Sequence, residues 1–578
     1  MAEPTRTKLS ARARLLGVAV EGAGVANVAS ALTPALRSRL QLVQEALTPE
    51  VTRAAAGATA LAGLILILLG SGIARRRVVA QRAAVTILSI STVTHLLKGL
   101  DWEEAALTAS LALILILNRD AFTAGPGPSR RRTLLWAVPA VAALDLAYGM
   151  VGLLIRRNLV FPRPSFGLAL RHVASRLVGL PGPLSVRGGF GDWFSASLTV
   201  LGALSFGGCV LLALAPVAER RLARHEDRYE VRRLIERPDG DSLDPFALRR
   251  DKRYVFSPDR RAAVAYRYVS GVGLASGDPV GEPEAFADVV TRFLHLCDAH
   301  GWRPAVLGAR YDRLALYQAA GLRAMYLGDE AVIDATVFTL EGRRMRNVRQ
   351  AISHTQTVGL RTEIHREGDL DRTLRASLLA MAERWRGGAP ERGFSMSLDG
   401  LLTARDPECV VVVARDPDES PVAFQRYVPC KAGRALSLDA MRRDDSAPNG
   451  VNERMIADVV AWARSRGIAE VSLNFAAFRS LIEPDAELTA TQVAEAWFIR
   501  RLNRFFQIES LRAFNSKFRP RWVPRYVIYQ HPGDLGAIAV AALSAEAFLP
   551  LDRRHADAAP GEPSSRGWRS RASIIRPP

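Results

Sequence analysis

The chain has 578 residues, too many for one domain, and a formal net charge of +19 with far more arginine than lysine. That balance points to a polyanionic partner, nucleic acid or an anionic membrane surface; an arginine-rich proteome is the plain source of part of the excess. Four scattered cysteines, Cys209, Cys297, Cys409 and Cys430, match neither a disulfide framework nor a metal site, and fit a reducing compartment for the soluble part.

Apolar runs crowd the first 217 residues and then stop. Ala54–Ala74, Val78–Leu97, Ala105–Leu117 with its flanks, Leu134–Ile155 and Trp193–Val217 each approach the roughly 20 residues that cross hydrocarbon as a helix. Leu15–Leu36 is a weaker sixth, interrupted by Glu21 and lacking a signal-peptide cleavage pattern. Short-loop arginines at Arg75–Arg77 with Arg82, Arg130–Arg132, and Arg220, Arg221 and Arg224 predict cytoplasmic loops, whereas 98–104 is balanced by Asp101, Glu103 and Glu104. The loop Arg156–Asp192 disagrees, because this side assignment puts its six arginines outside. Asp145 lies inside a span and is either a polar site or a helix-packing group.

From Glu219 the composition becomes that of a globular α/β protein, and two segments look alike. Ala287-Asp288-Val289-Val290 opens an amphipathic helix that ends at Gly301 and leads to a strand at Pro304–Gly308. Ala457-Asp458-Val459-Val460 opens another that ends at Gly467 and leads to a strand at Ala469–Asn474. Each is followed by a further helix, one ending at Ala320-Gly321 and one over Ala490–Phe506. A helix-strand-helix unit recurring at this distance predicts two copies of one α/β domain. It resembles the acyltransferase fold of the GNAT superfamily used in tandem. No clean coenzyme A loop, P-loop or dinucleotide fingerprint is present, which argues against acetyl-CoA as donor.

Between the copies, Arg343, Arg344, Arg346 and Arg349 recur at helical spacing. They read equally as a phosphate-binding face for tRNA or lipid headgroups and as a solvated linker helix. Further on, Leu436–Arg443 alternates like a strand that ends near Asp439, with Arg442 three residues later. An acid there can hold an ammonium group and a guanidinium can hold a carboxylate or phosphate; an ordinary surface ion pair is the alternative.

The order of these motifs resembles the bacterial phosphatidylglycerol aminoacyltransferases, known from lysylphosphatidylglycerol synthase. The resemblance runs through Leu96–Asp101 with Glu103-Glu104, Gly277-Asp278-Pro279-Val280-Gly281, Arg343–Arg349, Glu391-Arg392-Gly393-Phe394-Ser395, Leu436–Arg443, Phe514–Trp522 and Pro524-Arg525-Tyr526. It implies transfer of an aminoacyl group from aminoacyl-tRNA to phosphatidylglycerol, altering membrane charge and resistance to cationic antimicrobial peptides. It implies no cofactor, since the ester is already activated, and partners that are aminoacyl-tRNA, phosphatidylglycerol and the anionic membrane; self-association is compatible with it. On matched positions it implies that Asp439, Arg442 and Glu391 line the aminoacyl pocket and that Lys517 lies near the reacting groups. Asn474, from its place at a strand end, is read as a donor to the ester carbonyl. Structural ion pairing, and for Lys517 a solvated loop lysine, are the plain alternatives.

The expected organisation is thus an α-helical membrane domain at 1–218, a first GNAT-like domain at 219–340, a second with the catalytic pocket at 341–535, and a largely disordered tail at 536–578. Members with translocase activity carry a longer membrane region, and some relatives carry a fused lysyl-tRNA synthetase. A Fem-type peptidoglycan aminoacyltransferase and a non-catalytic membrane scaffold are the rival readings. Two pocket acids would suit a lysyl, ornithyl or arginyl group; one acid would suit an alanyl group.

Overall fold

A computed structural model describes residues 3–32, 49–99, 101–122, 128–214, 225–388, 393–403, 405–477 and 508–548. The chain divides into two compact units, Met1–Val217 with Asp298–Trp302, and Ala218–Cys297 with Arg303–Pro578.

The first unit contains helices α1 (Glu3–Leu32), α2 (Pro49–Ala74), α3 (Val78–Gly99), α4 (Trp102–Leu117), α5 (Pro128–Ile155), α6 (Phe166–Leu177) and α7 (Gly189–Leu214). Among the described residues, three stretches are long and apolar enough to cross a membrane, Gly57–Ala74, Leu135–Ile155 and Gly189–Val210. α4, at 16 residues, reaches about 24 Å at 1.5 Å per residue. Small residues let α1 and α2 meet backbone to backbone: a Cβ on Gly24 would lie 2.7 Å from the Gly63 carbonyl oxygen. Side-chain hydrogen bonds add to this packing. Asn27 donates to Ser91 at 2.7 Å, and Thr59 donates to Thr94 at 3.0 Å. Asp145 is buried and accepts from Ser205 of α7 at 3.1 Å, the helix-packing use of an intramembrane acid. The arginine-rich loop has structure of its own. β1 (Val160–Phe161) pairs with β2 (Ser185–Val186), and the guanidiniums of Arg187 and Arg156 lie 4.6 and 5.8 Å from the Phe161 and Phe190 ring centroids.

The second unit is built on one continuous sheet. Its elements are α8 (His225–Ile235), β3 (Arg253–Phe256), β4 (Ala262–Val269), β5 (Val272–Ser276), β6 (Val280–Gly281), α9 (Phe286–His300), β7 (Arg303–Arg310), α10 (Leu314–Ala319) and β8 (Arg323–Asp334). There follow α11 (Arg346–Thr357), β9 (Arg361–Arg366), α12 (Arg372–Arg386), β10 (Val410–Arg415), β11 (Pro421–Cys430), β12 (Ala435–Arg443), α13 (Val451–Ser465), β13 (Glu470–Ala477), α14 (Ile508–Ser516), β14 (Arg521–Tyr529) and α15 (Leu535–Ala545). The predicted helix over Ala490–Phe506 lies outside the described residues.

The strand order is β3-β4-β5-β7-β14-β8-β13-β12-β11-β10-β9. Its two halves repeat one plan, with β5 and β7 parallel in the first and β12 and β13 parallel in the second. This is the expected tandem acyltransferase fold, behind a helical N-terminal region. The middle departs from two separate copies. β8, which ends the first copy in sequence, pairs with β13 of the second; β14, which ends the second, pairs with β7 of the first. The two copies thus exchange their last strands.

Both faces of the second half are covered, so its strands read as apolar runs rather than alternations. In β10, Val410 and Val412 pack toward α13 whereas Val411 and Val413 pack toward α12. α15 lies against the first half, with Ile538, Ala541 and Leu543 buried beside Leu274, Leu307 and Val527, and Asp534 before it holds Arg303 at 2.7 Å. A tail beginning at 536 is therefore corrected: the apolar face of 535–545 completes the first core, and 549–578 lie outside the described residues.

At the exchange sits Arg525 of β14, whose side chain is 1% exposed. It donates to both oxygens of Asp241, at 2.5 and 2.7 Å, and to Glu330 of β8 at 3.0 Å. Glu330 also accepts from Ser242 and from Ser472 of β13, each at 2.5 Å. Burial works to raise the Asp241 carboxyl, but the Arg525 charge outweighs it and holds the group down at about 2.

Two outcomes follow. Arg525→Met strands two buried carboxylates, and denaturant unfolding of the purified chain should show a loss of about 3–5 kcal/mol; an unchanged midpoint would contradict the network's role. A fragment of residues 225–340 should lack cooperative unfolding, because β7 loses β14 and β8 loses both its neighbours, β13 and β14; a sharp transition would refute the exchange.

Candidate functional site

The parallel strands β12 and β13 pair only from Ala435–Ser437 to Glu470–Ser472. Beyond that they part, because each carries an irregularity there. β12 inserts Asp439 as an extra residue between Leu438, opposite Tyr427, and Ala440, opposite Arg426. β13 slips between Ser472 and Phe475, and Asn474 adopts φ +65°. Bulges re-aim side chains and end pairing, so two of them side by side open a gap between parallel strands. The strand does not end near Asp439, as its alternation predicts; it continues to Arg443.

The Asp439 side chain is buried, with 1% of it exposed. One carboxylate oxygen accepts from Arg426 Nη1 and the other from the Leu398 backbone N–H, both at 2.6 Å. Arg426 of β11 is fully buried and donates from Nε to Glu367 at 2.6 Å. Arg426 thus bridges the two acids, and a second guanidinium, that of Arg375, donates to the Glu367 carbonyl at 3.0 Å. Two polar atoms of the cluster, Arg426 Nη2 and Asn474 Oδ1, have no hydrogen-bond partner among the described residues.

The sequence-predicted residues fare differently. Asp439 and Asn474 come together at the gap, but Asp439 takes Arg426 rather than Arg442 as its buried partner. The Asn474 amide donates to the carbonyl oxygens of Met396, at 3.2 Å, and Leu438. Both amide hydrogens are engaged in these bonds, which close the strand bulge. Arg442 lies with its guanidinium 4.3 Å from the Trp385 ring centroid. Lys517, after α14, pairs with Glu453 in the first turn of α13 at 2.8 Å. Glu391 lies outside the described residues. Arg343, Arg344 and Arg346 are exposed at the start of α11. Arg349 is not part of that free face, since it donates to the carbonyls of Leu340 and, at 2.7 Å, Gly342.

Arg426 and Glu367 escape a motif-based reading. Arg426 nevertheless had a signal: a guanidinium beside Gln425 within the mostly apolar run Val422–Val428 has to be paired if that run is buried.

The segment 393–399 straps this gap to the first copy. Glu546 accepts from the backbone N–H of Phe394 at 2.8 Å and of Ser395 at 3.2 Å. Asp399 accepts from the Arg250 N–H at 3.0 Å. The fully buried Lys252 donates to the Phe246 carbonyl at 2.7 Å and to Ser276 at 2.5 Å, with its ammonium 4.8 Å from the Phe394 ring centroid. Burial pushes this amine down to about 7, against the pull of Asp251. The first copy has its own opening where β5 and β7 part, lined by residues including Asp241, Asp244, Asp278, Arg310 and Phe286. Asp278 there accepts from the Arg310 N–H at 2.9 Å and from the Tyr317 hydroxyl at 2.8 Å. Ser276-Gly277-Asp278 and Ser437-Leu438-Asp439 thus occupy equivalent positions in the two copies, where the parallel pairing ends.

Residues 232–529 match the family described as phosphatidylglycerol lysyltransferase, C-terminal. The chain belongs to that family. It is 38% identical over 425 residues to the lysylphosphatidylglycerol biosynthesis bifunctional protein LysX of Mycobacterium ulcerans, covering 72% of this chain and 38% of that protein. To LysX of Mycobacterium tuberculosis it is 37% identical over 453 residues, covering 77% and 38%. The chain therefore spans well under half the length of these curated relatives. The lysyltransferase-family fold also matches the structure of L-PGS from Bacillus licheniformis, with TM-score 0.50 and 22% identity, over 56% of this chain and 98% of that one. Residues 232–529, which match the family, contain the exchanged strands, the bulge and Arg426.

Lys252 makes stability depend on pH. Unfolded, its amine titrates near 10.5 and folded near 7, so between these values the unfolded chain binds more protons and stability rises with pH. The native chain should gain up to about 4 kcal/mol relative to Lys252→Met between pH 7 and 10. Parallel pH curves for the two proteins would rule this out.

Proposed function

We propose that this chain is a membrane-bound aminoacyltransferase that moves an aminoacyl group from aminoacyl-tRNA to a glycerol hydroxyl of phosphatidylglycerol. The observation that carries this reading is the buried Glu367–Arg426–Asp439 group beside the place where β12 and β13 part, in a chain of the lysyltransferase family. In that reading the carboxylate of Asp439, with lone pairs left beyond its two bonds, accepts from the ammonium of the aminoacyl group. Arg426 and Leu398 fix the orientation of that carboxylate. Arg442, Glu391 and Lys517 keep the roles their motifs imply, in the pocket and toward phosphate or developing negative charge.

The chemistry is a transesterification. The lipid hydroxyl oxygen forms a bond to the ester carbonyl carbon, the bond from that carbon to the ribose oxygen breaks, and the hydroxyl proton passes to the ribose oxygen. The donor ester is already activated, so the contribution of the protein is positioning and charge stabilisation. The exposed Arg343, Arg344 and Arg346 supply phosphate contacts that weaken with salt. The arginines of the short loops favour a cytoplasmic soluble unit, on the side where aminoacyl-tRNA is found.

Cells expressing the chain should accumulate aminoacylated phosphatidylglycerol in lipid extracts resolved by mass spectrometry. Asp439→Ala should abolish that product while the protein stays in the membrane fraction. No product from the native chain supplied with aminoacyl-tRNA would sink the reading; undiminished product from Asp439→Ala would remove that residue from the site. Replacing Arg343, Arg344 and Arg346 by serine should raise KM for the RNA donor and flatten its salt dependence; an unchanged salt slope would count against that face.

A further inference from the structure

Trp385 stands in the last turn of α12 and is 52% exposed, an exposed aromatic on a charged surface. Its ring carries the Arg442 guanidinium at 4.3 Å, so one part of the indole is held by a cation while half of the residue stays open. Arg384 beside it is 62% exposed and pairs with Asp444 at 2.8 Å; Arg443 at the end of β12 is exposed. An indole that anchors a protein in lipid has apolar neighbours. Here the neighbours are arginines and their counter-charges, the composition that holds a base by its π-face and its phosphates by cations. Arg442 lies on the same strand as Asp439, three residues on, or about 10 Å at 3.3 Å per residue. That separation is of the order of one nucleotide.

We propose that Trp385, braced by Arg442, is the stacking platform for an unpaired nucleobase at the 3′ end of the RNA donor, and that it places the aminoacyl ester toward Asp439. This rests on the transferase reading above and adds the residue that receives the base. Trp385 is a binding residue here, not a member of the acid–base group around Arg426. Stacking of one base on an aromatic side chain corresponds to about a 5- to 150-fold change in affinity. The phosphate contacts of the arginines add affinity that does not depend on the tail.

The test uses the full chain in nanodiscs of neutral lipid and two labelled RNA hairpins, one with a four-nucleotide unpaired 3′ tail and one blunt. Fluorescence anisotropy should show tighter binding of the tailed hairpin. Trp385→Ala should weaken the tailed hairpin about 5- to 150-fold and leave the blunt one unchanged, while Trp385→Phe should keep most of the preference. With the aminoacylated tailed RNA, Trp385→Ala should raise KM more than it lowers kcat. Trp385→Ala binding both hairpins as the native chain does would overturn the platform. So would shielding of Trp385 from an aqueous quencher by anionic vesicles but not by tailed RNA, which would make it a membrane anchor. Lipid product formed equally by native chain and Trp385→Ala removes the platform alone; no product from the native chain removes the transferase reading beneath it.

Discussion

Arg525 crosses from the last strand of the second acyltransferase copy into the first, and the organisation of the sheet depends on what it meets there. A guanidinium with 1% of its side chain exposed is costly to bury unless every neighbouring charge is fixed. Asp241 and Glu330 supply those charges, and Ser242 and Ser472 fill the remaining acceptor positions on Glu330. These groups come from both copies, so the network forms only when β8 and β14 have changed places. The exchange makes the two copies one folding unit. α15, from the far end of the described chain, completes the core of the first half in the same way.

The same plan, used twice, has diverged at the two strand openings. In the first copy Asp278 is tied to the β7 backbone and to Tyr317, and burial raises its carboxyl to about 6, with the neighbouring Asp241 charge adding to the effect. In the second copy the equivalent Asp439 sits on a bulge and faces a buried arginine that serves two acids. In the first copy the acid is tied to the neighbouring strand and helix; in the second it is tied to a buried guanidinium and to the Leu398 backbone. The 393–399 strap, held by Glu546 and packed on Lys252, joins the second opening to the first copy.

Much of this was legible along the chain, and more was not. The apolar runs up to residue 217 and the recurring Ala-Asp-Val-Val helices are local patterns, set by periods of 3.6 and 2 that survive whatever the chain later packs against. Together with the ordered motifs they determined the class, a helical membrane region followed by tandem acyltransferase domains, and the family. Asp439, Asn474 and Arg442 could be singled out because they sit where an alternating strand turns polar. Their partners could not. Register between strands decides which residue faces which, and one inserted residue moves every later side chain to the other face. The bulge at Asp439 is such an insertion. Only the tertiary structure therefore decided that Arg426 holds Asp439, that Asn474 spends its amide on the bulge, that Arg442 rests on Trp385, and that the two copies trade their last strands.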